Sequence, residues 1–273
     1  MSAVSLPQTI GLIAGNGKFP LMFVRAARAQ GLSVVVAAIK GDTSFLIHGL
    51  ANRVAWFSPG DLKKLFAYFR AHDVGHVLMA GQVNPDNLFK KNTSIDAEFR
   101  RIFDALVDRR CDTIFKAIAD RLQSEGMELL DSTLLLKEFL APRGTLTRMA
   151  PSVAQLEDIS FGITIAKQMG GLDVGQTVVI KGKAIVAVEA MEGTDRCILR
   201  GGAIARDGAV VVKTSKPNQD SRFDVPVIGP RTIMKMKKAR AACLSIEAGK
   251  TLIIERDRTL SLADQAGIVI VAA

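Results

Sequence analysis

Polar-edged aromatic residues are almost missing from this chain: one Trp and one Tyr stand among 273 residues. Surfaces that stack nucleic-acid bases rely on such rings. The formal charge of +9 therefore points to a phosphate-bearing small molecule or an anionic lipid surface, and not to RNA or DNA. A generally basic surface with no partner is the plain alternative. Cysteine is also scarce. Cys111, Cys197 and Cys243 are odd in number, far apart and form no CxxC pair, which excludes a disulfide framework and a zinc site and suits reduced thiols in the cytoplasm. The three histidines, His48, His72 and His76, all fall in the first half. No Ser/His/Asp or Cys/His arrangement offers a covalent nucleophile. If the chain activates water, a metal ion, a carboxylate or both must do it. No apolar run approaches the ~20 residues that span a bilayer; the longest, Leu32–Ile39, is strand-sized. Met1–Thr9 has neither a basic segment nor an apolar core, so export is not expected.

What is present reads as two α/β halves. Ile10–Ala14, Leu32–Ile39, Arg53–Phe57 and Val74–Ala80 are strand-like. Between them the spacing predicts a helix over Pro20–Gln30 and another opened by Ser58-Pro59, with Leu62, Leu65, Phe66 and Phe69 on its apolar face. Helices over Ile95–Leu106 and Asp112–Glu125, a weak strand at Met127–Leu130 and a short capped helix at Ser132–Phe139 follow. The alternation predicts a parallel sheet covered on both faces, a Rossmann-like domain over residues 1–140. Residues 141–151, with two prolines and a glycine, read as a linker. Residues 152–273 read as a mixed α/β catalytic domain. It starts with a helix at Ser152 to about Met169 and a hairpin turning at Lys181-Gly182-Lys183. A helix over Thr194–Arg206, the strand Ala209–Lys213 and a basic helix over Pro230–Ala242 come next. Strands Thr251–Glu255 and Gly267–Val271 flank a last helix, Arg258–Ala266.

Four segments carry candidate chemistry. The turn Gly15-Asn16-Gly17 joins the first strand to the first helix, where a phosphate or nucleotide could meet bare backbone and a helix N-terminus. Pro20 and Lys40 depart from a dinucleotide fingerprint, and the other reading is an ordinary strand–helix turn. Gln82 and Asn84, after the fourth strand, can read a base or sugar, or form an Asx turn before Pro85. Glu189, Glu192 and Asp195 fall where a strand ends and a helix begins. Carboxylates there suit a hard cation, although Thr194 and Asp195 are also ordinary helix-capping types. The richest stretch runs from Lys213 to Asp224. Lys213, Lys216 and Arg222 can neutralise a diphosphate, Asp220 and Asp224 can hold a metal or orient water, and Gln219 adds an amide for substrate. Pro217 and Pro226 stiffen it. A charged surface loop is the plain reading.

Together these segments resemble a known family. IGLIAGNGKFP (Ile10–Pro20), AGQV (Ala80–Val83), APRGTL (Ala141–Leu146), LDVGQ (Leu172–Gln176), AVEAMEGTD (Ala187–Asp195) and KTSKPNQDSRFDVPVIG (Lys213–Gly229) are similar to the LpxI type of UDP-2,3-diacylglucosamine pyrophosphatase of lipid A biosynthesis. The resemblance implies a Rossmann-like N-terminal domain and a second domain with ligand between them. It implies hydrolysis of the lipid-linked sugar nucleotide to lipid X and UMP with Mg2+ or another divalent cation such as Mn2+. It also implies a homodimer, peripheral at the cytoplasmic face of the inner membrane. The family's essential aspartate falls on Asp224 by match to R-x-D-x-P. A non-catalytic nucleotide or lipid-phosphate binding module is the alternative.

Overall fold

The computed structural model describes residues 7–83, 95–108 and 110–273, and of Cys111 and Asp112 the backbone alone. By contact the chain divides into two compact units. One takes residues up to Lys137 together with Ser221–Asp224, and the other takes Glu138–Asp220 and Val225–Ala273.

The first unit holds five parallel strands: β1 (Thr9–Ala14), β2 (Ser33–Ile39), β3 (Arg53–Phe57), β4 (His76–Ala80) and β5 (Glu128–Leu129), in the order β3-β2-β1-β4-β5. The chain runs outward from β1 through β2 to β3, then returns to lay β4 on the other side of β1. Direction reverses between β1 and β4, the switch point of a doubly wound sheet. Helix α1 (Phe19–Ala29) buries Leu21, Phe23, Val24 and Ala27, and α2 (Leu62–Arg70) buries Leu62, Leu65, Phe66 and Phe69, both by helical period. The latter opens later than Ser58-Pro59 suggests. Asp61 accepts from Ser58 N at 3.0 Å, and that turn delays the first helical residue. Helices α3 (Ala97–Asp104) and α4 (Cys111–Ser124) lead to β5. Ser132–Phe139 is not the α-helix its pattern predicts. It is a run of turns and a short 3-10 segment, because Ser132 spends its hydroxyl on distant carbonyls.

The second unit is built on a mixed six-stranded sheet, β6-β13-β11-β9-β7-β8. Its members are β6 (Gly144–Thr145), β7 (Thr177–Lys181), β8 (Ala184–Val188), β9 (Val210–Lys213), β11 (Cys243–Ile246) and β13 (Val269–Ala272), while β10 (Val227–Ile228) and β12 (Leu252–Ile253) pair separately. The central trio β13, β11 and β9 is parallel; β6, β7 and β8 run antiparallel to their neighbours. Side chains alternate across this sheet. Val210 and Val212 pack with Ile159 and Ala166 of α5 (Val153–Gly171). Val211 and Leu244 face α6 (Thr194–Ala205), α7 (Pro230–Lys238) and α8 (Arg256–Ala266). The basic helix is shorter than expected. It closes at Ala239, Arg240 turns with φ of 51°, and Ala242 N donates to Ala209 O at 2.8 Å to begin pairing. Residues 141–151 belong to this unit's structure. Ala141 N donates to Thr251 O, and Gly144–Thr145 pairs with β13.

Candidate active site

In the first unit, the residues predicted from the Gly-rich turn meet at the switch point. Leaving β1, Gly15 N donates to Ala80 O at 2.8 Å and Asn16 N donates to Gln82 O at 2.7 Å. The loops after β1 and β4 are thus laced together at the carboxyl end of the sheet, where open α/β sheets place ligands. A Cβ on Gly15 would stand 2.7 Å from Gln82 O, and one on Gly81 (φ +85°) would stand 2.4 Å from Asn16 O. These two glycines are needed for loop-on-loop packing. Gly17 differs: its φ is +92° and nothing stands within 4 Å of its missing Cβ. Asn16, Gly17, Lys18 and Gln82 are exposed. Helix α1 starts beside them with no side-chain cap and no acid in its first turn, so its leading N–H groups suit an anion. Asn84 lies outside the described residues.

Asp224 also belongs to this unit. The short piece Ser221–Asp224 packs against it although its neighbours on either side pack elsewhere. Ser132 N donates to Ser221 O at 3.0 Å. The Ser132 hydroxyl lies 2.6 Å from both Met79 O, near the end of β4, and Arg222 O. Ser221 Oγ donates to Asp131 Oδ2 at 2.6 Å, and Phe223 stacks on Phe115 with centroids 5.6 Å apart. One hydroxyl therefore ties the R-F-D sequence to the end of β4, the strand whose following loop carries Gln82. Arg222 and Asp224 are half-buried.

The second unit gathers another polar set at the carboxyl end of β9. Lys213 is buried at 6% exposure, and its Nζ donates to Thr194 Oγ1 at 2.8 Å. Thr194 in turn donates to Glu189 Oε1 at 2.8 Å. Thr194 is the first residue of α6; the capping position is Gly193, with φ of 80°. Beside this, Ser215 N and Oγ both donate to Glu247 Oε2, which also accepts from Lys167 Nζ at 2.7 Å. Burial alone would raise the Glu247 carboxyl, but Lys167, Lys250 and Ser215 outweigh it and hold it at about 2. Lys216 pairs with Asp173, and its N–H donates to Gln219 Oε1 at 2.6 Å. Burial, then the negative charge of Glu189, pushes the Cys197 thiol up to about 12.

Two of the carboxylates expected at a metal, Glu192 and Asp195, are engaged in ion pairs. Glu192 pairs with Arg200, whose guanidinium holds the carboxyl below its usual range, and Asp195 pairs with Arg231. Asp220 is half-buried in the second unit. Among the described residues, no three His, Cys, Asp or Glu side chains group as ligands for an ion. Mg2+ does not require such a cage, since it keeps waters and rides on substrate phosphates with one or two carboxylates. Half-buried Asp224 fits that minimal donor set. Residue patterns did not single out Glu247, Lys167, Ser132 or Phe115. Glu247 follows β11, a strand hidden behind the basic helix, and the others act through contacts distant in sequence.

Residues 9–139 match the LpxI N-terminal domain, and residues 142–271 match the LpxI C-terminal domain. UDP-2,3-diacylglucosamine pyrophosphatase LpxI of Caulobacter vibrioides is 30% identical over 275 aligned positions, covering 96% of each chain. Solved structures are far looser matches. N5-carboxyaminoimidazole ribonucleotide synthetase in its ADP complex aligns at a TM-score of 0.29 and 17% identity, covering 66% of this chain and 34% of its own. Biotin carboxylase from Campylobacter jejuni aligns at 0.30 and 9%, covering 72% and 42%. Overlaps of that quality carry no argument.

Proposed function

This chain belongs to the LpxI family, and from that membership we propose that it hydrolyses the diphosphate of UDP-2,3-diacylglucosamine to 2,3-diacylglucosamine 1-phosphate and UMP. It is a hydrolase by its family on both domains. The observation that carries the finer reading is the lodging of Arg222-Phe223-Asp224 in the first unit, tied through Ser132 to the end of β4. The segment that carries this carboxylate is tied, through the Arg222 carbonyl, to the strand that ends beside the switch-point loops. In the proposal Asp224 orients the attacking water, and the backbone of Gly15–Gly17 with the N-terminus of α1 takes a phosphate. Asn16 and Gln82 read polar edges of the nucleotide. Arg222 supplies positive charge to the diphosphate, and Lys213 and Lys216 are the second unit's own candidates for binding phosphate. A divalent cation, Mg2+ or Mn2+, would neutralise charge on the diphosphate, with Asp224 as its protein carboxylate.

Substrate carrying acyl chains must be met at a lipid surface. No helix among the described residues is long and apolar enough to cross a membrane, and the proposed contact is peripheral.

The test is UMP release from the diacylated sugar nucleotide, with and without EDTA. Wild type should turn over, chelator should stop it, and Asp224→Asn should lower turnover at least ~100-fold, on the scale of a lost transition-state contact, with an unchanged melting temperature. Near-normal turnover in Asp224→Asn would refute the role of Asp224. Ligand binding with no UMP release by wild type would favour the non-catalytic module.

A further inference from the structure

We propose that Glu189 and Thr194 are positioning residues for Lys213, and that the three form the phosphate-binding subsite of the second unit. The identity of the anion, a phosphate of a diphosphate ester, rests on the hydrolase reading; the arrangement itself does not.

Lys213 is the starting point. A buried ammonium is costly unless it is paired. Among the described residues its Nζ has one acceptor, the neutral hydroxyl of Thr194. An ammonium has three donors, so two are left for something else. Thr194 has a single hydroxyl proton, and it goes to Glu189 Oε1. A lone pair of Thr194 is thereby turned toward Lys213. Thr194 cannot drift, because it opens α6 directly after Gly193 and Thr177 Oγ1 lies 3.4 Å away on β7.

Glu189 completes the set from behind. It is 8% exposed, its N–H donates to Thr177 O at 2.9 Å, and its second oxygen, Oε2, is buried with no hydrogen-bond partner. The carboxylate offsets the buried ammonium across one hydroxyl without taking its N–H groups. A direct ion pair would consume the donors; the relay holds the cation and leaves donors for an incoming anion. The N-terminus of α6 adds to this. It has no side-chain cap at Gly193, and its leading N–H groups and dipole favour negative charge in the same place. Cationic donors beside a helix N-terminus are the ordinary chemistry of phosphate recognition.

The test is titration of the full-length protein with inorganic diphosphate, read by calorimetry and therefore independent of turnover. Lys213→Met should weaken binding at least ~10-fold, the scale of a lost charged hydrogen bond. Glu189→Gln should weaken it several-fold in the wild-type background and not at all once Lys213 is Met. Thr194→Val should mimic Glu189→Gln, and Thr194→Ser should restore wild-type affinity. Equal losses from Glu189→Gln in both backgrounds would mean Glu189 acts on the fold alone and would overturn the proposal, as would unchanged diphosphate binding by Lys213→Met. If Glu189→Gln does not fold, the Thr194→Val and Thr194→Ser pair decides the matter in the same two backgrounds. Coupled binding in a wild-type protein that releases no UMP would defeat the hydrolase assignment and leave this inference standing.

Discussion

Glu247 shows what a single carboxylate does when several donors converge on it. Lys167 at 2.7 Å and the Ser215 N–H and hydroxyl meet on Oε2, and Lys250 reaches Oε1 at 2.8 Å. The anchored residue, Ser215, begins the polar loop two positions after Lys213. The folded carboxyl titrates at about 2 against an ordinary 4.5, so the native state keeps it ionised where the unfolded chain takes up a proton. The stabilisation is present above about pH 4.5 and is lost as pH falls toward 2. Glu247→Gln should therefore melt below wild type at pH 6, and the gap should narrow at pH 3. A gap of the same size at both pH values, measured by thermal melts, would show that ionised Glu247 contributes nothing. Residue types alone made Lys213, Lys216, Arg222 and Asp224 visible as a set. They did not reveal Glu247, because two of its three partners, Lys167 on a helix and Ser215 on a loop, are far away in sequence and only Lys250 is a near neighbour. Nor could the pattern show that Glu192 and Asp195 are taken by Arg200 and Arg231; acids at a strand–helix junction look alike whether they face an ion or a guanidinium.

At the scale of elements, local punctuation decided what could be read. β1, α1 and β3 are bounded by Gly15, Pro20, Gly31 and Pro59, and their apolar periods are clean, so their limits follow from the chain. β11 was hidden, since Ala239–Ala242 extends the helical composition of α7 right up to Cys243. Only the left-handed turn at Arg240 ends the helix, and an arginine does not announce that conformation. One element has consequences for the proposed lipid surface. In the 3-10 segment Phe45–Gly49, Ile47 is fully buried while Phe45 and Leu46 are 76% and 70% exposed. The segment is firmly mounted. Phe45 packs on Trp56 at 4.6 Å, Trp56 Nε1 donates to His48 Nε2 at 2.8 Å, and Arg28 donates to Leu50 O at 3.0 Å. Arg28, which reaches Leu50 O, and Arg25, Lys40 and Arg53 in the neighbouring sequence are exposed, and the sole acid between residues 20 and 60, Asp42, is buried. An apolar tip in a basic surround suits an anionic bilayer. Phe45→Ser with Leu46→Ser should lower sedimentation with phosphatidylglycerol-containing vesicles at least ~10-fold, since each side chain fully buried is worth ~1.5–3 kcal/mol. Raised salt should weaken wild-type binding too. Equal sedimentation of variant and wild type would remove this surface from consideration.

At the scale of the whole molecule, chain order and contact order part company. The backbone passes between units after Lys137, after Asp220 and after Asp224. The alternation of strands and helices was enough to foresee two α/β halves, the first with an all-parallel sheet, because that pattern has few solutions. No periodicity could reveal that four residues of the second half pack with the first. That lodging is decided by long-range contacts: the hydroxyl of Ser132 toward Arg222 O, Asp131 with Ser221, and Phe115 with Phe223. The consequence for activity is direct. If Asp224 works from this position, loosening its tether should cost turnover out of proportion to stability. Ser132→Ala removes the single O–H that the carbonyls of Met79 and Arg222 share, at ~1–3 kcal/mol. A displacement of about 1 Å at a reacting group can cost ~100-fold in rate. UMP release by Ser132→Ala should thus fall at least ~10-fold with only a few degrees lost in melting temperature, whereas Phe223→Leu, which keeps an apolar side chain against Phe115, should stay within a few-fold of wild type. A Ser132→Ala protein that melts lower yet turns over normally would show that the tether serves the fold alone and that Asp224 does not depend on it.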